Sequence, residues 1–311
     1  MPRPWPEYSA REWARLRPLV ERYKHARYQA LAAMHARRPA AKGDVTALRS
    51  RIAGQCVLIA VAFNDPGFAE RQIALVKLNI PDCLHLIADN STDAVAAARI
   101  EVAASAAGCA YVKLRPGPWR KPEDGGRSHA LAMNWVWRNL LRPARPLAFG
   151  FIDHDLFPLR AADPFAPLAD HAVAGQVRDR SGGRNRWYLW AGFCFFRFDA
   201  VERRALDFSL DWAAGLDTGG ANWFALYRYL TQGDVFDAGM VVEPIAHDIG
   251  DHALRLEWIG DWLHLGNFNV PLSLPEPVRR ELIALKLRVV EARLSAALAE
   301  ARSEQGREPR A

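Results

Sequence analysis

From Cys56 onward the chain alternates short apolar runs with segments of helical periodicity. "CVLIAVAFN" has strand length and is followed by the turn residues "DPG" and the helical pattern "FAERQIALVKLNI". "CLHLIADN" predicts a second strand. "STDAVAAARIEVAASAAG" predicts a helix with a Ser or Thr near its N-cap and Gly108 past its end. "CAYVKLR" predicts a third strand, "GRSHALAMNWVWRNLL" a helix and "PLAFGFID" a fourth strand. Strands that are apolar on both faces and alternate with helices belong to a mostly parallel sheet covered by helices, an α/β architecture. Beyond residue 160 the alternation weakens: "AVAGQVRD", "WYLWAGFCFFRF" and "GMVVEPIAH" predict strands, and "NWFALYRYL" a helix.

The ends are helical. Residues 9–37 predict helix, with Pro18 either interrupting it or opening a second piece, and "ARRPAAKGD" reads as a linker. From Val278 to about Arg302 a helix carries Ile283, Leu287, Val290, Leu294 and Leu298 along one stripe, which suits core packing or a homodimer seam. The expected organisation is a basic helical extension over 1–50, an α/β domain over 51–270 whose halves meet near residue 160, and an amphipathic helix with tail over 271–311.

Composition narrows the class. Half of the 311 residues are hydrophobic and 24% charged, as in soluble globular enzymes. No apolar run approaches the roughly 18–20 residues that span a bilayer. The start lacks the pattern of a secretory signal, so the expected address is the cytoplasm. Cys56, Cys83, Cys109 and Cys194 lie in or beside apolar runs with no CxxC pair, which predicts buried thiols rather than a zinc site. The net charge of +6 comes largely from the N-terminal helical segment. That segment reads as a solvated face, or as a surface meeting anionic lipid or a polyanionic substrate, so peripheral membrane contact is a candidate property. No motif points to nucleic acid.

In parallel sheets the ligand site lies at the carboxyl ends of the strands. Asn64, Asp89, Asp153 and Asp155 all fall at such ends. "PLAFGFIDHDLFPL" sets two carboxylates around a histidine directly after an apolar strand. Alternation along an extended segment points Asp153 and Asp155 to opposite sides, so they reach one ion together only if the chain turns there. Mg²⁺-like cations are held by one or two carboxylates plus substrate phosphates, a task this D-x-D suits. The alternative is a strand-to-turn junction in which Asp155 caps local backbone.

In order and spacing, "VLIAVAFN", "LIADNST", "SHALAMNW" and "LAFGFIDHD" resemble the GT-A-type nucleotide-sugar glycosyltransferases, especially the family-2-like branch, over roughly residues 55–160. The resemblance implies a GT-A-like sheet, a Mn²⁺ or Mg²⁺ cofactor and a nucleotide-diphosphate sugar donor, uridine being the preferred nucleotide. It implies that Asp89 contacts the base or ribose and that Asn64 shapes the pocket beside it. His129 and Asn134 would flank the donor, Asp153 would lie towards ribose, sugar and metal, and Asp155 would hold the metal. It also implies a late metal-binding histidine, for which His264 in "DWLHLGNFN" fits better than His247 in "VVEPIAHDIGDH". The Glu-Asp pair of inverting family-2 enzymes is missing.

In the second half, Asp217 precedes a double glycine that opens the predicted helix, as a catalytic base or a helix N-cap. Trp190 and Gly192 in "RNRWYLWAGFCFF" offer an aromatic face and a close approach for a sugar, or core packing. The acceptor is a glycan, a lipid-linked glycan or a protein. The competing readings are a non-catalytic GT-A-like module that binds sugar or a partner, and a nucleotidyltransferase, which "FNDPGFAE" does not favour. An HD-type phosphohydrolase is opposed by the strand–helix alternation.

Overall fold

The computed structural model describes residues 2–119, 124–179, 186–249, 252–266, 270 and 273–305. Residues 184–185 of "RNRWYLWAGFCFF", 250–251 of "HDIGDH", 267–269 of "DWLHLGNFN" and the tail from 306 lie outside them. Eleven strands are described: β1 Cys56–Ala62, β2 Leu84–Asp89, β3 Ala110–Lys113, β4 Ala148–Asp153, β5 Leu156–Pro158, β6 Val173–Asp179, β7 Trp187–Arg197, β8 Val235–Asp237, β9 Val241–Ile245, β10 Leu254–Ile259 and β11 Trp262–His264. The longer helices are α1 Ala10–Ala14, α2 Arg17–Ala36, α3 Val45–Ile52, α4 Pro66–Asn79, α5 Ala94–Ala107 and α6 Gly125–Val136, followed by the C-terminal helix Glu276–Gln305.

Seven strands form one sheet in the order β3-β2-β1-β4-β7-β6-β8, and only β7 runs against the rest. Side chains alternate between its two faces. Val57, Ile59 and Val61 of β1 enter a core with α3 and α6, while Leu58, Ala60 and Ala62 enter a second core with α4 and α5. Both faces are therefore dry, which is why β1, β2 and β4 read as continuous apolar runs. Asp65 caps α4 through the Phe68 N–H, and Asp93, rather than the preceding Ser or Thr, caps α5 through the Val95 N–H. Gly108 ends α5 at φ +79°, in the left-handed region that suits glycine.

A second sheet of antiparallel strands, β5-β11-β10-β9, lies beside the first. Phe157, Leu256 and Leu263 from its strands, with Leu265 just after β11, pack with Leu75 of α4 and with Val290, Leu294 and Ala297 of the C-terminal helix. Of the stripe read as core packing or a homodimer seam, Val290 and Leu294 are buried in this core and Leu287 and Leu298 pack partly against it. Pro18 stands in the first turn of α2, opening a second helix after α1. The helix expected over "NWFALYRYL" breaks into a four-residue turn at Asn222–Ala225 and a 3-10 turn at Tyr227–Tyr229. No helix among the described residues is long and apolar enough to cross a membrane.

Candidate functional site

Strand β4 runs down the centre of the large sheet and delivers Asp153 at its carboxyl end. The chain then turns at His154–Asp155 and re-enters β5, which joins the small sheet. The register of β5 against β11 sets Leu156 opposite His264, and the Leu265 N–H donates to the Asp155 carbonyl at 3.0 Å. Two strands more than one hundred residues apart are thereby closed around the turn. Asp153, Asp155 and His264 each bring a ligand atom to within 4.8 Å of the others, the one such grouping among the described residues. Gln72 of α4, itself buried, holds the turn by donating to the carbonyls of Asp153 and Leu156 at 2.6 and 2.7 Å.

His264 is oriented from behind. Glu257 faces it across the β10–β11 pair and accepts from Nδ1 at 2.9 Å, leaving Nε2 towards Asp155 at 3.6 Å. Burial opposes charge on this imidazole, but Asp155, Glu257 and Asp153 outweigh it and lift the pKa to about 10. Burial likewise works against the Asp155 carboxylate, and the neighbouring His264 overrides it, holding Asp155 below its ordinary range. A third layer follows. Lys286 of the C-terminal helix is wholly buried, and its Nζ has no hydrogen-bond partner among the described residues. Burial pushes its pKa down to about 8, while Glu257 and Asp155 act in the opposite sense. The acidic cluster is therefore backed by a dry cation.

Around the cluster, His129 of α6 brings Nδ1 to 3.6 Å from Asp153, and its Nε2 is buried with no hydrogen-bond partner among the described residues. The Trp190 ring lies 4.6 Å, centroid to centroid, from His264, and the Arg178 guanidinium sits 4.7 Å over Trp190. Gly192 permits this closeness. A methyl group there would stand 2.5 Å from Asp153 Oδ2 and 2.3 Å from the Trp190 ring.

The remaining predicted residues serve the frame. Asn64, at φ +51°, accepts from the N–H groups of Thr92 and Asp93 and donates to Thr92 Oγ1, stapling the loop after β1 to the loop after β2. Asp89 is fully buried. It accepts from the Ser91 N–H and the Tyr111 hydroxyl, with Lys113 Nζ 3.6 Å away, so its oxygens are committed inside the fold. Asn134 is likewise committed, to the Phe208 N–H, Asp207 and Ser209. It braces α6 against the segment 207–209, with both amide hydrogens engaged there. Exposed Asp217 accepts from the Thr218 N–H beside Gly126 at the start of α6, and so caps its own turn rather than the segment at 222. His247 accepts from the Ile249 N–H and stands outside the cluster.

Gln72, Glu257 and Lys286 escaped the sequence reading. Replacing Gln72 with leucine is expected to orphan the two carbonyls and cost about 1–3 kcal/mol of stability. Because the turn loses its brace, Mn²⁺ affinity should also fall by about tenfold, by analogy with other outer-shell contacts. Thermal unfolding and Mn²⁺ titration check both. Unchanged metal affinity would show that the turn needs no such hold.

The donor set suits a hard or borderline divalent ion: two carboxylates and one imidazole whose far nitrogen is already engaged by Glu257. Such a carboxylate behind a ligating histidine is the usual support of a metal ligand.

No protein-family model and no curated protein matches the sequence. Among solved structures, the mannosyltransferase PcManGT from Pyrobaculum calidifontis, in complex with GDP-Man and Mn²⁺, aligns with a TM-score of 0.34 and 13% identity over 58% of this chain. The alignment spans only 55% of that protein. The galactosyltransferase LgtC, in complex with donor and acceptor sugar analogues, aligns with a TM-score of 0.34 and 14% identity, over 58% of this chain and 72% of its own. A mycobacterial protein aligns with a TM-score of 0.36 and 13% identity, over 71% of this chain and 89% of its own. At such identity and overlap these likenesses assign the chain to no family.

Proposed function

We propose that the protein is a metal-dependent glycosyltransferase that moves a sugar from a nucleotide-diphosphate sugar to an acceptor hydroxyl. The observation that carries this reading is the meeting of Asp153, Asp155 and His264 at the carboxyl end of a central parallel strand. A divalent ion held by these three would offset the charge that builds on the departing diphosphate. The loops stapled by Asn64 and ordered by Asp89 form the nucleotide side of the crevice. His129 restrains Asp153, and Trp190 with Gly192 forms a floor against which the donor sugar lies. Asp217, exposed beside Gly126, which lies one helical turn before His129 on α6, takes the proton of the acceptor hydroxyl.

The test is calorimetric titration of the full chain with UDP and GDP, with Mn²⁺ present and again in EDTA. Binding of one nucleotide that requires Mn²⁺ is the expected result. Absence of binding by a folded protein in every condition would leave the sheet as scaffold and favour a sugar- or partner-binding module.

A further inference from the structure

We infer that the cavity between α2 and the N-terminal end of α6 is the acceptor subsite, and that it takes an anionic sugar, a saccharide carrying a carboxylate or a phosphate. This inference rests on the glycosyl transfer proposed above and names its acceptor class. The cavity measures about 720 Å³, the scale of a small-molecule site. Five arginine and lysine side chains reach its wall (Arg3, Arg17, Lys24, Arg27 and Arg127), against the single carboxylate of Glu21. Glu21 is already used by Arg3, Arg17 and the Tyr8 hydroxyl, and Arg127 is paired with Asp124 at 2.7 Å. Lys24 and Arg27, both exposed, form no ion pair among the described residues. Two cations thus line the cavity without an ion-pair partner among the described residues.

Charge alone would suit any polyanion; the walls select a ring. Trp119 stacks on Tyr28 at 4.8 Å, and Trp212, a residue 41% exposed, stands edge-on to Tyr28 at 5.1 Å. The Arg127 guanidinium lies 4.7 Å over Trp212. An open indole beside unpaired cations offers the apolar face of a pyranose a surface and its charged substituent a partner. The cavity also borders the reaction site. Leu210 lines it and packs on Gly126, where a methyl group would stand 3.6 Å from Leu210 and 3.3 Å from Asp217 Oδ1. His129, in the next turn of α6, reaches Asp153.

The experiment is calorimetry of the full chain at low salt, without nucleotide or metal. The probes are glucose 1-phosphate, glucuronic acid, glucose and inorganic phosphate. Both anionic sugars are expected to bind about tenfold more tightly than glucose, with an affinity that falls as salt is raised. Glucose 1-phosphate should also exceed inorganic phosphate. The double variant Lys24→Ala/Arg27→Ala should lose about tenfold for the anionic sugars, and Trp212→Ala should abolish the advantage of glucose 1-phosphate over phosphate. Lys24 and Arg27 are exposed, so the melting temperature of the double variant should stay near that of the parent. Equal affinity for glucose and the anionic sugars, phosphate matching its sugar ester, no binding of any sugar, or an unaffected double variant would each overturn the inference. With donor and metal left out, the result stands apart from the nucleotide titration, so either reading can fail without the other.

Discussion

Replacing His264 with alanine is expected to weaken Mn²⁺ binding by at least about 100-fold and to flatten its dependence on pH. The argument begins with the proton. Without metal, His264 lies between Asp155 and Glu257, and their charges outweigh its burial to lift its pKa from 6.5 to about 10. At neutral pH a metal must therefore displace a proton from Nε2 before that nitrogen can bind it. Affinity in the parent protein should rise by about tenfold per pH unit across the range from about 6 to 9. Stability of the metal-free chain moves the other way. The folded pKa of His264 is raised, so its contribution is complete below the unfolded value of 6.5 and is lost as pH rises through about 10. Alkaline conditions should loosen the metal-free cluster while tightening the loaded one. Mn²⁺ titrations at several pH values, with parent and variant, read both effects. A flat profile in the parent, or unchanged affinity in the variant, would remove His264 from the metal site.

The large sheet was legible because its physics is local. Each of β1, β2 and β4 is buried on both faces, and the helices between them carry their own caps, so apolar runs and turn residues mark the boundaries without knowledge of the rest. Asp153 and Asp155 stood out for the same reason: charge directly after a dry strand has few uses. The small sheet was harder. β5 and β11 have three residues each, too few to show a period, and their pairing joins segments far apart in sequence. Glu257 faces His264 across the short β10–β11 hairpin, and a strand of three residues gives that pairing no periodic signal. Lys286 did leave a signal. The buried series on the C-terminal helix runs through Leu282, Lys286, Val290 and Leu294, and a lysine at one of its steps marks a charge held inside. The sequence reading followed Ile283 and Leu287 instead and passed beside it. Asp89 and Asn134 show the converse. Their motifs were found, but backbone and neighbouring side chains already claim their hydrogen-bonding groups.

Gly192→Ala should cost about 100-fold in Mn²⁺ affinity, although the substitution adds one methyl group and no charge. Gly192 lies in β7, outside the left-handed region, so backbone conformation does not demand glycine there. Space does. The added carbon would stand 2.5 Å from Asp153 Oδ2 and 2.3 Å from the Trp190 ring, closer than real contacts allow. One of the two side chains has to move. If Asp153 yields, the cluster loses a ligand; if Trp190 yields, the face packed on His264 at 4.6 Å shifts with it. Overpacking of this kind also destabilises by about 1–3 kcal/mol, so a loss of metal affinity needs separating from a loss of folded protein. Gly150→Ala provides the control. Its added carbon would meet the Phe195 ring at 2.0 Å in the core, and its three closest atoms all belong to that ring. Gly150→Ala should therefore lower the melting temperature while the folded fraction keeps Mn²⁺ affinity within about threefold, since its clash lies in a packed core. A matching loss of affinity in both variants would mean that strand packing in general, and not the close approach at Gly192, sets the position of Asp153.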